Sequence, residues 1–217
     1  MARRKTLKKE QYQLFDNCFN SGVDHKGTWK DVFGNDNPIT LELGCGKAEL
    51  SYGLAQLYPE RNFLGIDLKM DRMWRPAKEA RQAGITNINF LCIHLLELEE
   101  HFAENEVDEI WITFPDPFPK NRQAKHRMVN HSFLDQYRKV LKPDGTLHYK
   151  TDNTNLFYYS METFIDYQNI HLEKLSFDLH EDDRISEDKK IKTTYEKQFM
   201  ALGEKIKYVR FKFQEKG

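Results

Sequence analysis

From Pro38 onward the chain alternates between two hydrophobic rhythms, short apolar runs rich in β-branched residues and longer stretches of helical period. Residues 39–43 read as a strand running into Gly44-Cys45-Gly46, and residues 48–57 as a helix ending at Tyr58-Pro59. A second strand over 62–66 ends in Asp67, a helix over 70–83 is closed by Gly84, and a third strand covers 88–91. Residues 96–102 read as a helix, 107–112 as the fourth strand, and 132–141 as a helix stopped at Lys142-Pro143-Asp144-Gly145. A fifth strand over 146–150 and a helix over 156–167 come next. This alternation predicts an α/β fold with a mostly parallel central sheet and helices on both faces. The tail differs: strands over 171–179 and 205–213 flank a polar loop at 180–192, which predicts an antiparallel C-terminal edge. Residues 1–37 carry no strong strand signal. Leu7, Leu14 and Phe15 can share one face of a short helix, and Gly22, Gly27 and Gly34 break up the stretch between that helix and Pro38. The organisation expected is an N-terminal basic arm or cap over 1–37 and one domain over 38–217.

Composition changes this picture little, and charge distribution changes it more. The 217 residues are 39% hydrophobic and 31% charged, enough for one sheet-centred core under a well-solvated surface. Net charge is −1, so overall charge does not announce a nucleic-acid binder. The charges are segregated, however. Bases gather at Arg3, Arg4, Lys5, Lys8 and Lys9 and again over 120–127, while acids gather over 97–106 and 181–183. A polyanion-binding face on a near-neutral protein fits that segregation. The cysteines, Cys18, Cys45 and Cys92, are widely spaced with no CxxC pair, which disfavours disulfide and zinc frameworks and favours a reducing compartment. The eight histidines show no HExxH or paired ligand spacing, so no metal is expected. No apolar run approaches membrane-spanning length, and the basic N-terminus has no apolar segment behind it. A soluble cytoplasmic protein is expected, monomeric or homodimeric, with no membrane partner.

Candidate chemistry concentrates in IWITFPDPFPK at 110–120. The β-forming start is halted by Pro115, Pro117 and Pro119, leaving a stiff loop that holds Asp116 at a strand's carboxyl end, where ligands sit in open α/β sheets. The adjoining run holds Arg122, Lys125, His126 and Arg127 with no acid among them. A second locus is LELGCGKAEL at 41–50, whose Gly44 and Gly46 allow a tight turn and close approach of a ligand. The third glycine of a dinucleotide loop is missing, and Glu49 in its place would repel a pyrophosphate. Glu42 before the turn suits a cationic amino-acid group, and Asp67 can accept from both hydroxyls of a ribose. An adenosine bearing an amino acid and a positive centre, with no phosphate, describes S-adenosylmethionine. Cys45 is a poor nucleophile candidate because it lies in that loop.

Taken together, ELGCGK, GID, FPDPFPK, the basic run, TDN at 151–153 and TTYE at 193–196 resemble the bacterial tRNA (guanine-N7-)-methyltransferases, in that family's order from about Ile39 to the C-terminus. The glycine loop is generic to class I methyltransferases, whereas FPDP with its lysine and TxYE are specific. The resemblance implies a Rossmann-like class I methyltransferase domain over 38–217, transferring methyl from S-adenosylmethionine to N7 of guanine 46 in the tRNA variable loop. It implies that Glu42, Gly44, Gly46, Asp67, His94 and Asp116 meet the cofactor, with Asp116 also catalytic. It implies that Lys120, Arg122, Lys125, Arg127, Asp152, Thr193, Thr194, Tyr195 and Glu196 meet the RNA. Three positions depart from the family pattern: His94 stands where Asp is usual, Ala48 where a third glycine is common, and Phe118 where Trp is common. Thr193 and Glu196 also match a helix capping box, so a structural reading of TTYE stands beside the functional one. Guanine N7 carries a free lone pair and no proton, so the transfer would need positioning and charge stabilisation rather than a general base. The rival expectations are a methyltransferase of another RNA or small molecule, and a decayed binding module motivated by His94. An NAD-dependent reductase is disfavoured by Glu42, Glu49 and the missing glycine.

Overall fold

The computed structural model describes residues 2–214. Residue 1 and residues 215–217, the outer limits of the two expected segments, lie outside the described residues, as do the side chains of Arg3 and Arg4. The strands are β1 (Cys18–Asn20), β2 (Ile39–Leu43), β3 (Asn62–Ile66), β4 (Ile88–Cys92), β5 (Val107–Thr113), β6 (Leu141–Thr151), β7 (Ile170–Ser176) and β8 (Lys207–Phe213). They form one eight-stranded sheet in the order β1-β4-β3-β2-β5-β6-β8-β7. All neighbours from β1 to β6 pair parallel, and β8 pairs antiparallel with both β6 and β7. The parallel sheet and its antiparallel C-terminal edge are those the alternation predicts.

Strand period divides the core into two layers. Leu41, Leu43, Leu64, Ile66, Ile110, Ile112, Leu147 and Tyr149 face one side, where they pack with Trp29, Phe102, Leu134, Tyr137 and Phe157. Phe63, Phe90, Trp111 and Tyr208 face the other. There they meet α3 (Glu49–Leu57) through Leu50 and Leu54, and α4 (Met70–Gln82) through Met73, Ala77 and Ala80. Because the parallel strands are covered on both faces, the intervening Glu42, His148 and Lys150 are buried as well. The chain runs β2, β3, β4 outward in one direction and then returns to place β5 on the other side of β2. The carboxyl ends of β2 and β5 therefore flank the point where strand order reverses, the usual ligand crevice of such sheets.

Three elements depart from the sequence expectation. The first lies in residues 1–37, which supply the edge strand β1 behind helix α1 (Ala2–Gln13). Three half-buried residues paired only through backbone leave no readable period. The pairing is fastened by side chains: Tyr12 Oη donates to Phe90 O at 3.0 Å, and Asn17 Nδ2 to Ala77 O at 3.1 Å. Trp29 of the short helix α2 (Trp29–Phe33) is fully buried and donates from Nε1 to His101 O at 2.9 Å. Second, β6 starts at Leu141, directly after α6 (His131–Val140), because Leu141 pairs with Val107 before the register shifts across the Pro-Asp-Gly segment. Third, the tail holds between its strands a helix at Thr194–Ala201, which the strand–loop–strand reading lacks but the capping box of Thr193 and Glu196 announces; preceded by α5 (Leu98–His101) and α7 (Thr154–Asp166), it is numbered α8. Among the described residues no helix is long and apolar enough to cross a membrane.

Candidate active site

A cavity of about 680 Å³ opens at the reversal point, within the size range of small-molecule sites. Its lining brings together segments distant in sequence, namely the ends of β2, β3, β4, β5 and β6 with the loops that follow them, and the start of α8. Gly44 and Gly46 both adopt left-handed backbone, at φ 68° and 56°, and a side chain at Gly46 would meet open space. The turn is fastened to the neighbouring strand: Cys45 N donates to Ile66 O at 2.9 Å, and Gly46 N to Asp67 Oδ2 at 2.9 Å. Asp67 Oδ1 accepts from Lys69 N, also at 2.9 Å, so both carboxylate oxygens are already oriented by backbone amides. Each oxygen keeps a second lone pair for a ligand hydroxyl.

Glu42 is 2% exposed. Its Oε2 accepts from Ser51 N at 3.0 Å and Ser51 Oγ at 2.6 Å, and its Oε1 accepts from Thr113 Oγ1 at 3.1 Å. Burial pushes this carboxyl up from the ordinary range, and the bonds from Ser51 and Thr113 and the charge of Lys150 oppose that push. Glu42 thus lines the cavity as a fixed acceptor whose partners are neutral.

The FPDPFP loop is held in an unusual backbone. Phe114 and Phe118 both have positive φ, at 50° and 42°, which bulky side chains rarely adopt. Such conformations persist only where surroundings over-determine them, and here the fixings are visible. Phe114 N donates to Lys150 O at 2.9 Å. Arg127 Nη2 donates to Phe118 O at 3.0 Å and its Nε to Pro117 O at 3.2 Å, while its guanidinium lies 4.0 Å from the Tyr159 ring centroid. Asp116 stands exposed on this loop and lines the cavity.

On the remaining side, Thr193 caps α8: its hydroxyl accepts from Glu196 N, and Glu196 Oε2 accepts from Thr193 N at 3.3 Å, completing a capping box. Tyr195 is half exposed and lines the cavity, as do Thr193, Asp152 and Lys125. His94 lines it too, and its Nδ1 accepts from Leu96 N at 3.1 Å, capping a single turn as an aspartate would. An accepting Nδ1 leaves the proton of a neutral ring on Nε2. The site therefore joins a ring of carboxylates, Glu42, Asp67, Asp116 and Asp152, to a rim bearing Arg72, Lys69 and Lys125. Paired acceptors for hydroxyls and a cation, beside bases for an anion, suit a sulfonium nucleoside next to a phosphodiester chain. No group of three or more metal-ligating side chains occurs among the described residues.

A family described as putative methyltransferase matches residues 36–209. A tRNA (guanine-N(7)-)-methyltransferase of Bacteroides thetaiotaomicron is 41% identical over 207 residues, covering 95% of this chain and 80% of that one. The enzyme of the same description from Cytophaga hutchinsonii is 39% identical over 219 residues, covering 98% and 99% of the two chains. The chain belongs to the tRNA (guanine-N(7)-)-methyltransferase family. Its fold is similar to that of a 16S rRNA (adenine(1408)-N(1))-methyltransferase of Catenulisporales acidiphilia solved with cosubstrate SAM, at TM-score 0.59 and 15% identity over 88% of this chain and 92% of that one.

Against the residues that membership of this family implies, the placement is uneven. Glu42, Gly44, Gly46, Asp67, His94, Asp116, Lys125, Asp152, Thr193 and Tyr195 share the cavity lining. Lys120 and Arg122 are exposed in the segment beyond it. Three residues expected to meet RNA are occupied internally. Arg127 braces the proline loop. Thr194 donates from both N and Oγ1 to the carboxylate of Glu49. Glu196 is fully buried, with Oε1 2.7 Å from His180 Nε2 and 3.5 Å from Lys150 Nζ. Sequence reasoning missed Ser51, Thr113 and Lys150. Of these only Lys150 left a signal, a lysine at an inward position of a strand buried on both faces.

Proposed function

We propose that this protein transfers a methyl group from S-adenosylmethionine to N7 of a guanine in tRNA, guanine 46 of the variable loop, in the cytoplasm. What carries the reading is that Asp116, Asp152 and Tyr195 line the same cavity as the glycine turn and Asp67. Asp67 would accept from the ribose hydroxyls, the Gly44–Gly46 turn would run against the amino-acid portion, and His94 Nε2 would donate to an adenine nitrogen. Bound there, S-adenosylmethionine supplies an electrophilic methyl group on a positively charged sulfur. The chain's own contribution is to hold the guanine so that N7 points along the methyl–sulfur axis, an effect of proximity and orientation. N7 bears no proton, so no residue need act as a base. The methylated base is cationic, and the fixed carboxylates of Asp116 and Asp152 stabilise that charge as it develops. Burial raises the Asp152 carboxyl above its usual range, and the charge of Lys207 opposes that push. Tyr195 would stack on the unstacked base, worth about 1–3 kcal/mol.

Methyl transfer from labelled S-adenosylmethionine to unmodified tRNA transcripts tests the reading. Incorporation is expected with guanine at position 46 and should vanish when that base is replaced. Incorporation that persists after the replacement would move the target elsewhere.

The geometry also separates the basic residues. Lys125 is exposed at the rim, so Lys125→Ala should flatten the dependence of log affinity on log salt by about 0.7–0.9 while leaving kcat near wild type. Arg127 spends its donors on the proline loop, so Arg127→Ala should lower kcat and leave the salt slope unchanged. Filter binding across a salt series, paired with saturating turnover, distinguishes the two. A reduced salt slope for Arg127→Ala would return it to phosphate contact.

A further inference from the structure

The most unusual buried group outside the cavity lining is Lys150, fully buried at the end of β6 and two residues before Asp152. A buried ammonium is expensive to desolvate and persists only with good partners. Here Nζ donates to Ile191 O at 3.3 Å, lies 3.5 Å from Glu196 Oε1, and sits 5.7 Å from the centroid of the Trp111 ring. Glu196 is held a second time by His180 Nε2, 2.7 Å away. Ile191 and Glu196 bracket the segment in which Thr193 and Tyr195 line the cavity. In the sheet, Lys150 stands in register with Thr113, whose hydroxyl bonds Glu42 on the cofactor side. Burial lowers the Lys150 ammonium, while the carboxylates of Glu196 and Glu42 act to keep it charged.

We propose that Lys150 is a positioning residue for the methyl transfer, fixing the turn that presents Thr193 and Tyr195 by holding Ile191 O at one end and Glu196 at the other. The proposal rests on the tRNA methyltransferase reading above. Buried ion pairs add little net stability compared with apolar packing. A pair tying a substrate-bearing turn to the strand that carries Asp152 has geometric value instead. Glu196 then acts through the turn's conformation rather than by touching the base, in keeping with its complete burial.

The test uses the full chain with Lys150→Met and, separately, His180→Gln. Lys150→Met should lower kcat/KM for tRNA about thirtyfold or more while S-adenosylmethionine affinity stays within about twofold. Amide exchange over residues 193–198 should accelerate about tenfold or more, with β2 and β5 unchanged. His180→Gln should move the same quantities in the same direction by a smaller factor, and decides the matter if Lys150→Met does not fold. A purely structural role predicts a smaller active fraction, lower apparent kcat, unaltered KM and faster exchange throughout the sheet. That pattern, or unchanged exchange over 193–198, overturns the proposal. Wild-type protein that fails to methylate guanine 46 would count against the assigned reaction, whereas the exchange comparison would still show whether Lys150 holds the turn.

Discussion

Replacing Asp116 with alanine should reduce kcat by about 10²–10³ with tRNA and S-adenosylmethionine both saturating, the range found when one preorganised electrostatic contact is removed. The argument is geometric before it is electrostatic. Asp116 sits between two prolines on a loop whose flanking phenylalanines are both forced into left-handed backbone, each at a cost of about 1–3 kcal/mol. Such strain is retained where a side chain must be held in one place. Pro115 is buried, Phe114 N is bonded to β6, and Arg127 grips the carbonyls of Pro117 and Phe118, so the carboxylate is presented without reorganisation. Because Asp116 is exposed, its removal should change stability by no more than about 0.5 kcal/mol, and thermal melting should confirm an intact fold. Asp116→Asn keeps shape and an acceptor but loses the charge. If charge stabilisation dominates, Asn should be nearly as slow as Ala; if orientation dominates, Asn should recover most of the rate. Turnover unchanged in both variants would remove Asp116 from the mechanism.

The parts of this architecture that are legible in the sequence are those with a local physical cause. Strands β2 and β3 follow from five-residue segments rich in apolar residues, ended by a glycine turn and by Asp67, and the break after β5 follows from proline's fixed φ and missing N–H. The cavity residues nearest those breaks, Glu42, Gly44, Gly46, Asp67 and Asp116, are readable for the same reason. Residues that depend on which chain segments meet are not. Arg127 reads as one base among several, yet its partners are carbonyls nine and ten residues back. Glu196 reads as a cap more readily than as a base acceptor, and nothing in the pattern shows its burial against Lys150 and His180. Glu49, an argument against pyrophosphate in the sequence, proves to bond Thr194 across 145 positions. Edge strand β1 is the extreme case, since three residues paired through backbone have no side-chain pattern to read.

Asp67→Ala should weaken S-adenosylmethionine binding by about a hundredfold or more, corresponding to the loss of two charge-assisted hydrogen bonds at about 1.5–3 kcal/mol each. Calorimetric titration would measure it directly. The effect should fall on KM for the cofactor and leave kcat at saturation within a few-fold, because the ribose contact is made equally in ground and transition states. Asparagine should not rescue this position. Both carboxylate oxygens accept backbone N–H groups, from Gly46 and from Lys69, so an amide nitrogen in either place would face a donor and strand it. Losing the acceptor of the Gly46 amide also removes one of the bonds that fasten the turn, leaving that from Cys45 N to Ile66 O. Asp67→Asn should therefore bind as poorly as Asp67→Ala despite being nearly isosteric. Wild-type affinity in the asparagine variant would show that neither the ribose contact nor the double acceptance at the turn needs the carboxylate, and would move the hydroxyl contacts to another acceptor in the cavity.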